Sequence, residues 1–394
     1  MSLAHFKLLD WDFPEQNSNI FLHNLCWYPS RFIPMIPAQL ITALSKPGDT
    51  VLDPFCGSGT VLIEALRQNR NSICLDLNTY GCFIAETKAR IYSGGQFDLL
   101  ELTSIIEEID AINSDDNNAS LFSHPINLLK QTTKLHPNIE SLTPWYHKRT
   151  LSQLSALYTR IDNIEHELTK NILQLIFISI SMASSGHKTG RPYTYYADNV
   201  KPKALEEKDA YTLFKRRLKK FLNEYKNSLH CTNNTLDWNV FNGDSRQLSN
   251  QVQTPVDLIV TSPPYLGVTD YTMAFRLGKL WLDFGNPLES IKTSEIGARW
   301  RRKRSDETTS YLRDMEKCFS EMTLCLKPNK YLCIVIGESK KNSEKINNHL
   351  LSYIEEKLGL TLVHSTSRQI SQKFFRHPNG GVDTEEIYIF QKQY

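Results

Sequence analysis

The sequence predicts a doubly wound α/β protein with a mainly parallel sheet, and three observations support this. A short apolar run at residues 50–55 leads into a glycine-rich turn, and residues 60–66 then have helix-forming composition. A second apolar run at residues 72–76 ends in an acid, and residues 83–91 are again helix-like. Strand, glycine turn, helix, strand and helix in this order is typical of parallel βαβ units.

The stretch from residue 97 to residue 232 has a different pattern, in which helical periodicity dominates. Residues 151–157 and 172–182 have apolar positions at helical spacing, and glycine is nearly absent before Gly186. Residues 110–118 are acidic and rich in asparagine, which predicts a solvated loop. We interpret residues 97–232 as a largely helical insertion between two parts of the sheet.

Strand patterns return near Trp238, and the sheet continues from there. Residues 257–260 are a candidate buried strand that ends at the turn of residues 261–265. The remaining predicted elements are a helix at 308–326, a strand at 331–336, a helix at 343–357, and two runs, 362–367 and 386–390, that fit an antiparallel edge pair. The chain is therefore divided into a first part, residues 1–96, the insertion, and a second part, residues 233–394.

Composition narrows the class of protein. The chain has 394 residues, of which 40% are hydrophobic and 22% charged, and its formal net charge is +2. These values are typical of a globular protein and exclude a wholly basic architectural protein. The eight cysteines form no CxxC pair and no HExxH motif occurs, so no metal is expected. No signal sequence and no apolar stretch of about 20 residues is evident, which predicts a cytoplasmic protein without membrane partners.

The glycine-rich turn is a candidate ligand site. Gly57 and Gly59 can adopt positive φ and let the backbone approach a ligand closely. The turn lacks the Lys-Ser/Thr of a P-loop and the full spacing of a dinucleotide motif. Asp53 would repel a pyrophosphate but suits a ligand with an amino group and a sulfonium. Asp76 ends the next strand, about 20 residues on, where a carboxylate can accept hydrogen bonds from ribose hydroxyls.

Residues 53–60, Asp-Pro-Phe-Cys-Gly-Ser-Gly-Thr, resemble the cofactor motif of amino-methyltransferases that use S-adenosylmethionine. The resemblance implies a seven-stranded Rossmann-like methyltransferase sheet, with cofactor binding in residues 1–96 and the catalytic turn in residues 233–394. Residues 23–34 resemble the segment that encloses the methionine end of the cofactor, and residues 242–245 resemble the third-strand turn whose acid reaches the adenine amino group. The implied cofactor residues are Tyr28, Pro29, Phe32, Asp53, Pro54, Phe55, Cys56, Gly57, Ser58, Gly59, Thr60, Asp76, Asp244 and Ser245.

The turn Thr261-Ser-Pro-Pro-Tyr265 predicts the reaction class. An exocyclic amine of a base is a poor nucleophile, and acceptors aimed at its protons stabilise the positive charge that develops on methylation. The Ser262 hydroxyl and the Pro263 carbonyl can accept such bonds, and the rings of Pro263 and Pro264 fix φ. Tyr265 offers a flat face for a base, which must be flipped out of the duplex to reach the pocket. Tyr271 could share that stacking.

This turn resembles the Asp/Asn/Ser-Pro-Pro-Tyr signature of amino-methyltransferases, in which serine is usual for cytosine-N4 enzymes. Ser262 therefore favours N4-methylcytosine in double-stranded DNA over N6-methyladenine. An RNA guanine-N2 methyltransferase and a cofactor-binding regulator without catalysis are further alternatives. The 5-methylcytosine class is disfavoured because no Pro-Cys dipeptide occurs. By resemblance, the enzyme modifies DNA in a restriction-modification system or a related defence system, with a cognate restriction endonuclease or defence proteins as partners.

Three segments are candidates for DNA contact, and the helical insertion is a possible DNA-recognition region. Residues 186–196 mix basic, glycine and aromatic residues, which suits a loop that follows a phosphate backbone. Residues 297–304 have the highest charge density of the chain. A third basic stretch, residues 215–220, is more typical of a solvated helix face. The candidate DNA-binding residues are Lys188, Arg191, Tyr193, Tyr195, Tyr271, Arg299, Arg301, Arg302 and Arg304.

Overall fold

The computed structural model describes residues 3–14, 21–29, 33–117, 136–185, 205–228, 235–282, 288–301, 305–338, 343–369 and 384–393. The strands in these ranges form one sheet. They are β1 (Thr50–Asp53), β2 (Asn71–Asp76), β3 (Trp238–Asn242), β4 (Val256–Thr261), β5 (Leu326–Glu338), β6 (Leu360–Gln369) and β7 (Thr384–Lys392).

The strand order in the sheet is β3-β2-β1-β4-β5-β7-β6. Strands β1 to β5 run parallel, whereas β7 is antiparallel to β5 and β6 is antiparallel to β7. From β1 the chain builds one side of the sheet through β2 and β3, and it builds the other side from β4 onward. The order therefore reverses between β1 and β4, and ligands of α/β proteins bind beyond the carboxyl ends of the strands at such a point.

Helices cover both faces of the sheet. The α-helices of the described ranges are α1 (Met35–Leu44), α2 (Thr60–Arg67), α3 (Thr79–Tyr92), α4 (Leu99–Asn117), α5 (Ile139–Leu142), α6 (Lys148–Asp162), α7 (Glu167–Ser184), α8 (Ala210–Ser228), α9 (Tyr271–Ala274), α10 (Arg276–Trp281), α11 (Leu288–Ser294), α12 (Glu307–Cys325) and α13 (Ser343–Ser352). Within those ranges, every helix is too short or too polar to cross a bilayer.

Side chains alternate between the two faces of the sheet along the central strands, so the core consists of two layers, one on each face. Val51 and Leu258 pack with α1 on one face, whereas Leu52 and Ile259 pack with α12 on the other. Successive strand residues point to opposite faces, so a strand buried on both sides is apolar throughout. The continuous apolar runs of β1 and β4 are explained by this burial.

The helices between α3 and β3 pack against one another and against the sheet domain. Ile172 and Ile176 of α7 share an apolar cluster with Ile84 and Ile91 of α3. The guanidinium of Arg160 on α6 pairs with two carboxylates of α4, those of Glu101 and Glu108. The apolar core is therefore continuous from the helical segment to the helix that follows β2.

The predicted fold class is confirmed. The sheet is mainly parallel and seven-stranded with an antiparallel pair at one edge, and the described part of residues 97–232 is helical. The loop predicted for residues 110–118 was wrong, since α4 continues to Asn117. Ile105, Ile109 and Ile112 are buried at helical spacing, and this apolar anchor outweighs the low helix propensity of the asparagines and aspartates that follow.

The glycine turn between β1 and α2 is packed tightly against α3. Gly59 has φ of 75°, and a Cβ atom at this position would lie 2.8 Å from the Cβ of Ala85. The buried ammonium of Lys88 on α3 donates a 2.8 Å hydrogen bond to the carbonyl of Ser58. Helix α3 therefore fixes both the position and the carbonyl direction of the turn.

We expect Gly59→Ala to destabilise the protein by roughly 2–5 kcal/mol, because it adds left-handed backbone strain and a steric overlap with Ala85. Gly48→Ala is the matched control. Gly48 also has positive φ, of 86°, but a Cβ atom there would meet open space, so only the strain of about 1–2 kcal/mol applies. Urea denaturation measures both losses. Equal losses in the two variants would contradict the steric role of Ala85.

Candidate active site

A buried hydrogen bond joins the turns that follow β1 and β4. The hydroxyl of Thr261 donates to Oδ1 of Asp53 across 2.7 Å, and the backbone N–H of Phe55 donates to the same oxygen. Asp53 and Thr261 are both buried. Asp53 begins the glycine-rich turn and Thr261 begins the Ser-Pro-Pro-Tyr turn, so this bond fixes the two turns side by side. Burial raises the pKa of the Asp53 carboxyl to about 7, although both hydrogen bonds oppose the shift.

Both turns line one cleft. Its volume, counted out to the open mouth, is about 840 Å³. The lining residues are Tyr28, Pro29, Phe55, Cys56, Gly57, Ser58, Thr60, Asp76, Leu77, Asn78, Asp244, Ser245, Ser262, Pro264, Tyr271, Thr272, Ile291, Ser294, Glu295 and Ile296.

Asp76 is held at the cleft wall by backbone donors. The N–H of Gly57 donates to Oδ2 of Asp76 across 2.7 Å, and the N–H of Asn78 donates to Oδ1 across 2.8 Å. Burial raises the pKa of the Asp76 carboxyl to about 6, and these two bonds oppose the shift. Each carboxylate oxygen can accept a further bond, so Asp76 can still receive hydroxyl groups of a ligand.

Aromatic rings cover the glycine turn. A Cβ atom at Gly57 would lie 2.8 Å from Cε1 of Tyr28, so only glycine fits beneath this ring. The Tyr28 ring stacks on Phe275, with centroids 5.0 Å apart, and on Tyr271, with centroids 6.3 Å apart. Tyr28 therefore lies between the glycine turn and the segment that follows the Ser-Pro-Pro-Tyr turn.

Asp244 lies at the carboxyl end of β3 and is fixed by an arginine two residues later. Arg246 binds the Asp244 carboxylate through both Nε and Nη2, at distances from 2.6 to 3.1 Å. The same guanidinium pairs with Asp314 on α12 and donates to the carbonyl of Ser294. The hydroxyl of Ser245 donates to the carbonyl of Pro54. The turn after β3 is thereby connected to the glycine turn and to the opposite wall of the cleft.

Ser262 lines the cleft, whereas Tyr265 is not among the residues that line it. Oγ of Ser262 lies 3.0 Å from the hydroxyl of Tyr265. The aromatic residues of the cleft wall beyond the glycine turn are Tyr28 and Tyr271 instead. The structure thus pairs Ser262 with Tyr265 inside this turn, and it brings Tyr271, six residues further along the chain, to the cleft.

Glu295 is a cleft residue that sequence reasoning missed. Its Oε1 accepts a 2.5 Å hydrogen bond from the N–H of Tyr271, and burial raises the pKa of its carboxyl to about 7. Glu295 follows the short helix α11 without any motif around it, so the sequence offered no signal. Arg246 was also missed, although its place two residues after the acid of a strand-end turn is a local signal for a carboxylate clamp.

The predicted cofactor residues divide into three groups. The first and largest group lines the cleft and consists of Tyr28, Pro29, residues 55–58, Thr60, Asp76, Asp244 and Ser245. Asp53, Pro54 and Gly59 belong to the turn but support it from behind its lining surface, as Asp53 does through Thr261. Phe32 lies outside the described residues. Of the predicted catalytic residues, Ser262 and Pro264 line the cleft, and Pro263 is buried between them.

The predicted DNA-contact residues are only partly described. Tyr271 lines the cleft, and Arg299 and Arg301 form a short helix beside the segment that carries Tyr271, because the N–H of Trp300 donates to Asp270. Arg301 stacks on Trp300 with its guanidinium 5.1 Å from the ring centroid. Lys188, Arg191, Tyr193, Tyr195, Arg302 and Arg304 lie outside the described residues. In the basic stretch 215–220, Lys215 pairs with Asp110 and Arg217 donates to the carbonyl of Asn24.

The sequence matches a DNA methylase family of N6 and N4 methyltransferases over residues 11–87 and 256–394. These segments make up more than half of the chain, so the protein belongs to this family. It is a DNA methyltransferase, and its methyl donor is S-adenosylmethionine. The cleft fits this cofactor, because Oγ of Ser58 and Nδ2 of Asn78 are buried there without hydrogen-bond partners in the described part of the chain, and a polar ligand would satisfy them.

Three curated relatives are all Type II methyltransferases. M.MjaII of Methanocaldococcus jannaschii is 22% identical, over 95% of this chain and 82% of its own. M.MvaI of Kocuria varians is 22% identical, over 95% of this chain and 89% of its own. M.BsoBI of Geobacillus stearothermophilus is 26% identical, over 68% of this chain and 54% of its own.

We expect Asp53→Asn to gain stability relative to wild type as pH rises from 5 to 7. The folded-state pKa of Asp53 is about 7, against about 3.9 in an unfolded chain. Between pH 5 and pH 7 the folded protein binds more protons at Asp53 than the unfolded chain does. The free energy of unfolding of the wild type therefore falls as pH rises, by at most about 1.4 kcal/mol per pH unit. Asparagine keeps the acceptor for Thr261 and does not titrate. The free energy of unfolding in urea, measured at pH 5, 6, 7 and 8, gives the difference.

Thr261→Val is the control for this measurement, because it removes the hydrogen-bond donor and leaves the buried carboxyl. We expect it to be less stable than wild type at each pH and to keep the wild-type fall in stability. A constant difference between Asp53→Asn and wild type across the four pH values would contradict a titrating Asp53.

Proposed function

We propose that the protein transfers a methyl group from S-adenosylmethionine to N4 of cytosine in double-stranded DNA. The single observation that carries this proposal is the position of Ser262, which shares one cleft with the glycine turn around Gly57. The turn of residues 262–265 resembles the signature of amino-methyltransferases, in which serine is usual for cytosine-N4 enzymes. A methyl group can pass directly between two bound molecules only if both lie in the same cleft. The family match supports DNA as the substrate and leaves N4 and N6 as the possible acceptors.

The chain's own residues account for cofactor binding. Asp76 accepts the ribose hydroxyls, Asp244 accepts from the adenine amino group, and Tyr28 encloses the methionine end over Gly57. When bound, S-adenosylmethionine supplies an electrophilic methyl group on a positively charged sulfur. Asp76 and Glu295 place negative or polar oxygens along this wall, which favours a cationic ligand. Arg246 keeps the Asp244 carboxylate in one orientation.

Ser262 and the backbone carbonyl of Pro263 act on the target amine. The amine becomes a nucleophile when its nitrogen turns tetrahedral, and acceptors for its two protons favour that geometry. A flipped cytosine would stack on the ring of Tyr271, which lines the cleft. We assign Tyr271 the stacking role that the sequence divided between Tyr265 and Tyr271, because Tyr271 lines the cleft and Tyr265 is not among its lining residues.

DNA reaches the cleft past the segment of residues 299–301 in this proposal. Arg299 and Arg301 lie next to Asp270 and Tyr271, so their charges are near the mouth where a phosphate backbone would pass. The helical segment of residues 97–232 is then available for target recognition. The Type II names of the relatives support a role as the modification partner of a restriction endonuclease or in a related defence system.

Mass spectrometry of nucleosides tests the acceptor atom. The protein is expressed in a host without DNA methylation, and its genomic DNA is digested to nucleosides. We expect N4-methylcytosine to appear and N6-methyladenine to be absent. The reverse result would refute the cytosine assignment and identify an adenine-N6 enzyme of the same family. A methylated product in tRNA but not in DNA would refute both.

We expect Asp76→Asn to weaken binding of S-adenosylhomocysteine about 10–100-fold, because a charged acceptor for two hydroxyls is replaced by a neutral amide. Isothermal titration calorimetry measures the affinity without turnover. Glu86→Gln is the matched control, since Glu86 is exposed on the next helix, α3. Wild-type affinity in Asp76→Asn would remove Asp76 from the cofactor site.

A further inference from the structure

A chain of hydrogen bonds leads from Ser262 to the antiparallel edge of the sheet. The hydroxyl of Tyr265 lies 3.0 Å from Oγ of Ser262 and 3.3 Å from Oε1 of Glu385 on β7. Oε2 of Glu385 accepts a 2.9 Å bond from Nη1 of Arg368, the residue opposite it on β6. Glu385 and Arg368 are both buried. A buried ion pair of this kind adds little stability by itself, so its position behind Ser262 needs another explanation.

The number of protons limits the possible directions of these bonds. Burial and the Glu385 charge raise the pKa of Tyr265 well above its ordinary value, so the phenol keeps its one proton. Besides Ser262, the phenol oxygen faces the carbonyl of Val335 at 3.4 Å and the carboxylate of Glu385. A carbonyl and a carboxylate can only accept. When the Tyr265 proton is given to one of them, and above all to the charged carboxylate, the hydrogen bond between Ser262 and Tyr265 is donated by Ser262.

Arg368 favours the ionised, accepting form of the Glu385 carboxyl. Burial raises the pKa of Glu385, and the guanidinium charge opposes that rise. The cross-strand register places Arg368 directly against Glu385, so β6 and β7 together place this carboxyl and its counter-charge behind Tyr265. If this carboxyl were protonated it could donate to Tyr265, and the direction of the whole chain could reverse.

We propose that Arg368, Glu385 and Tyr265 are positioning residues that commit the Ser262 proton to Tyr265, so that Ser262 presents a lone pair to the target amine. This inference rests on the proposed function, in which Ser262 accepts a bond from that amine. Cytosine carries an acceptor, N3, beside its exocyclic amine. A freely rotating serine could donate to N3 and leave the amine unactivated. The hydrogen bonds through Tyr265, Glu385 and Arg368, which we call the positioning chain, prevent Ser262 from donating to N3.

A double-mutant cycle between Ser262 and Glu385 tests the proposal. The measured quantity is the single-turnover rate of labelled methyl transfer into unmethylated genomic DNA at saturating S-adenosylmethionine. We expect Ser262→Ala to slow transfer on the order of 10²–10³-fold and Glu385→Gln to slow it about 10-fold. In the Ser262→Ala background, Glu385→Gln should change the rate by less than about two-fold. Binding of S-adenosylhomocysteine should be unchanged by Glu385→Gln, since Glu385 acts away from the cofactor wall.

Tyr265→Phe provides a second arm that leaves the Arg368–Glu385 pair intact. We expect it to slow transfer by about the same factor as Glu385→Gln, and the double variant to be no slower than either single variant, because each one breaks the same chain. Glu355→Gln is the control, since Glu355 is an exposed carboxylate that accepts from Leu362 near the start of β6. It should retain the wild-type rate.

The possible outcomes separate the two proposals. A Glu385→Gln effect of equal size in both backgrounds would mean a general structural role and would overturn the positioning chain. So would full activity in Tyr265→Phe. If Glu385→Gln fails to fold, Tyr265→Phe alone decides in the same way. Full activity in Ser262→Ala would instead refute the proposed function of Ser262, whereas a slow Ser262→Ala with fast Tyr265→Phe and Glu385→Gln would refute only the chain.

Discussion

The buried hydrogen bond between Thr261 and Asp53 is the constraint on which the site depends. It joins two residues that are 208 positions apart in the chain, at the point where the strand order reverses. Parallel pairing of β1 and β4 brings the two strand ends together, but pairing alone leaves the following turns free to diverge. The bond from Thr261 removes that freedom, so the glycine turn and the serine turn enter one cleft with fixed separation.

The buried carboxyl groups around the cleft give it an electrostatic character that the near-neutral net charge conceals. Asp53, Asp76 and Glu295 all have pKa values raised by burial, to about 7, 6 and 7. Each would be stabilised in its charged form by a nearby cation. A positively charged ligand in the cleft would therefore offset part of the free-energy cost of ionising these buried acids.

The features that can be predicted from the sequence are those with a local physical signal. The apolar runs of β1 and β4, the glycine turn, and the acids at the ends of β2 and β3 are each encoded within a few residues. Glu295, Arg368 and Glu385 were not found, because each acts through a partner distant in the chain and none belongs to a local motif. The same limit explains Tyr265, whose neighbourhood on the sheet is set by β5 and β7. Residues 110–117 show the opposite error, since a polar composition concealed the buried isoleucines that extend α4.

The place of β7 in the sheet has a consequence for how the enzyme assembles. β7 lies between β5 and β6, so β6 has no hydrogen-bonding partner in the sheet until β7 has docked. The turns after β1, β2 and β3 follow strands that pair without this hairpin. The acceptors behind Tyr265 lie on β5 and β7, so only the Ser-Pro-Pro-Tyr side of the cleft depends on the docking of β7 and β6.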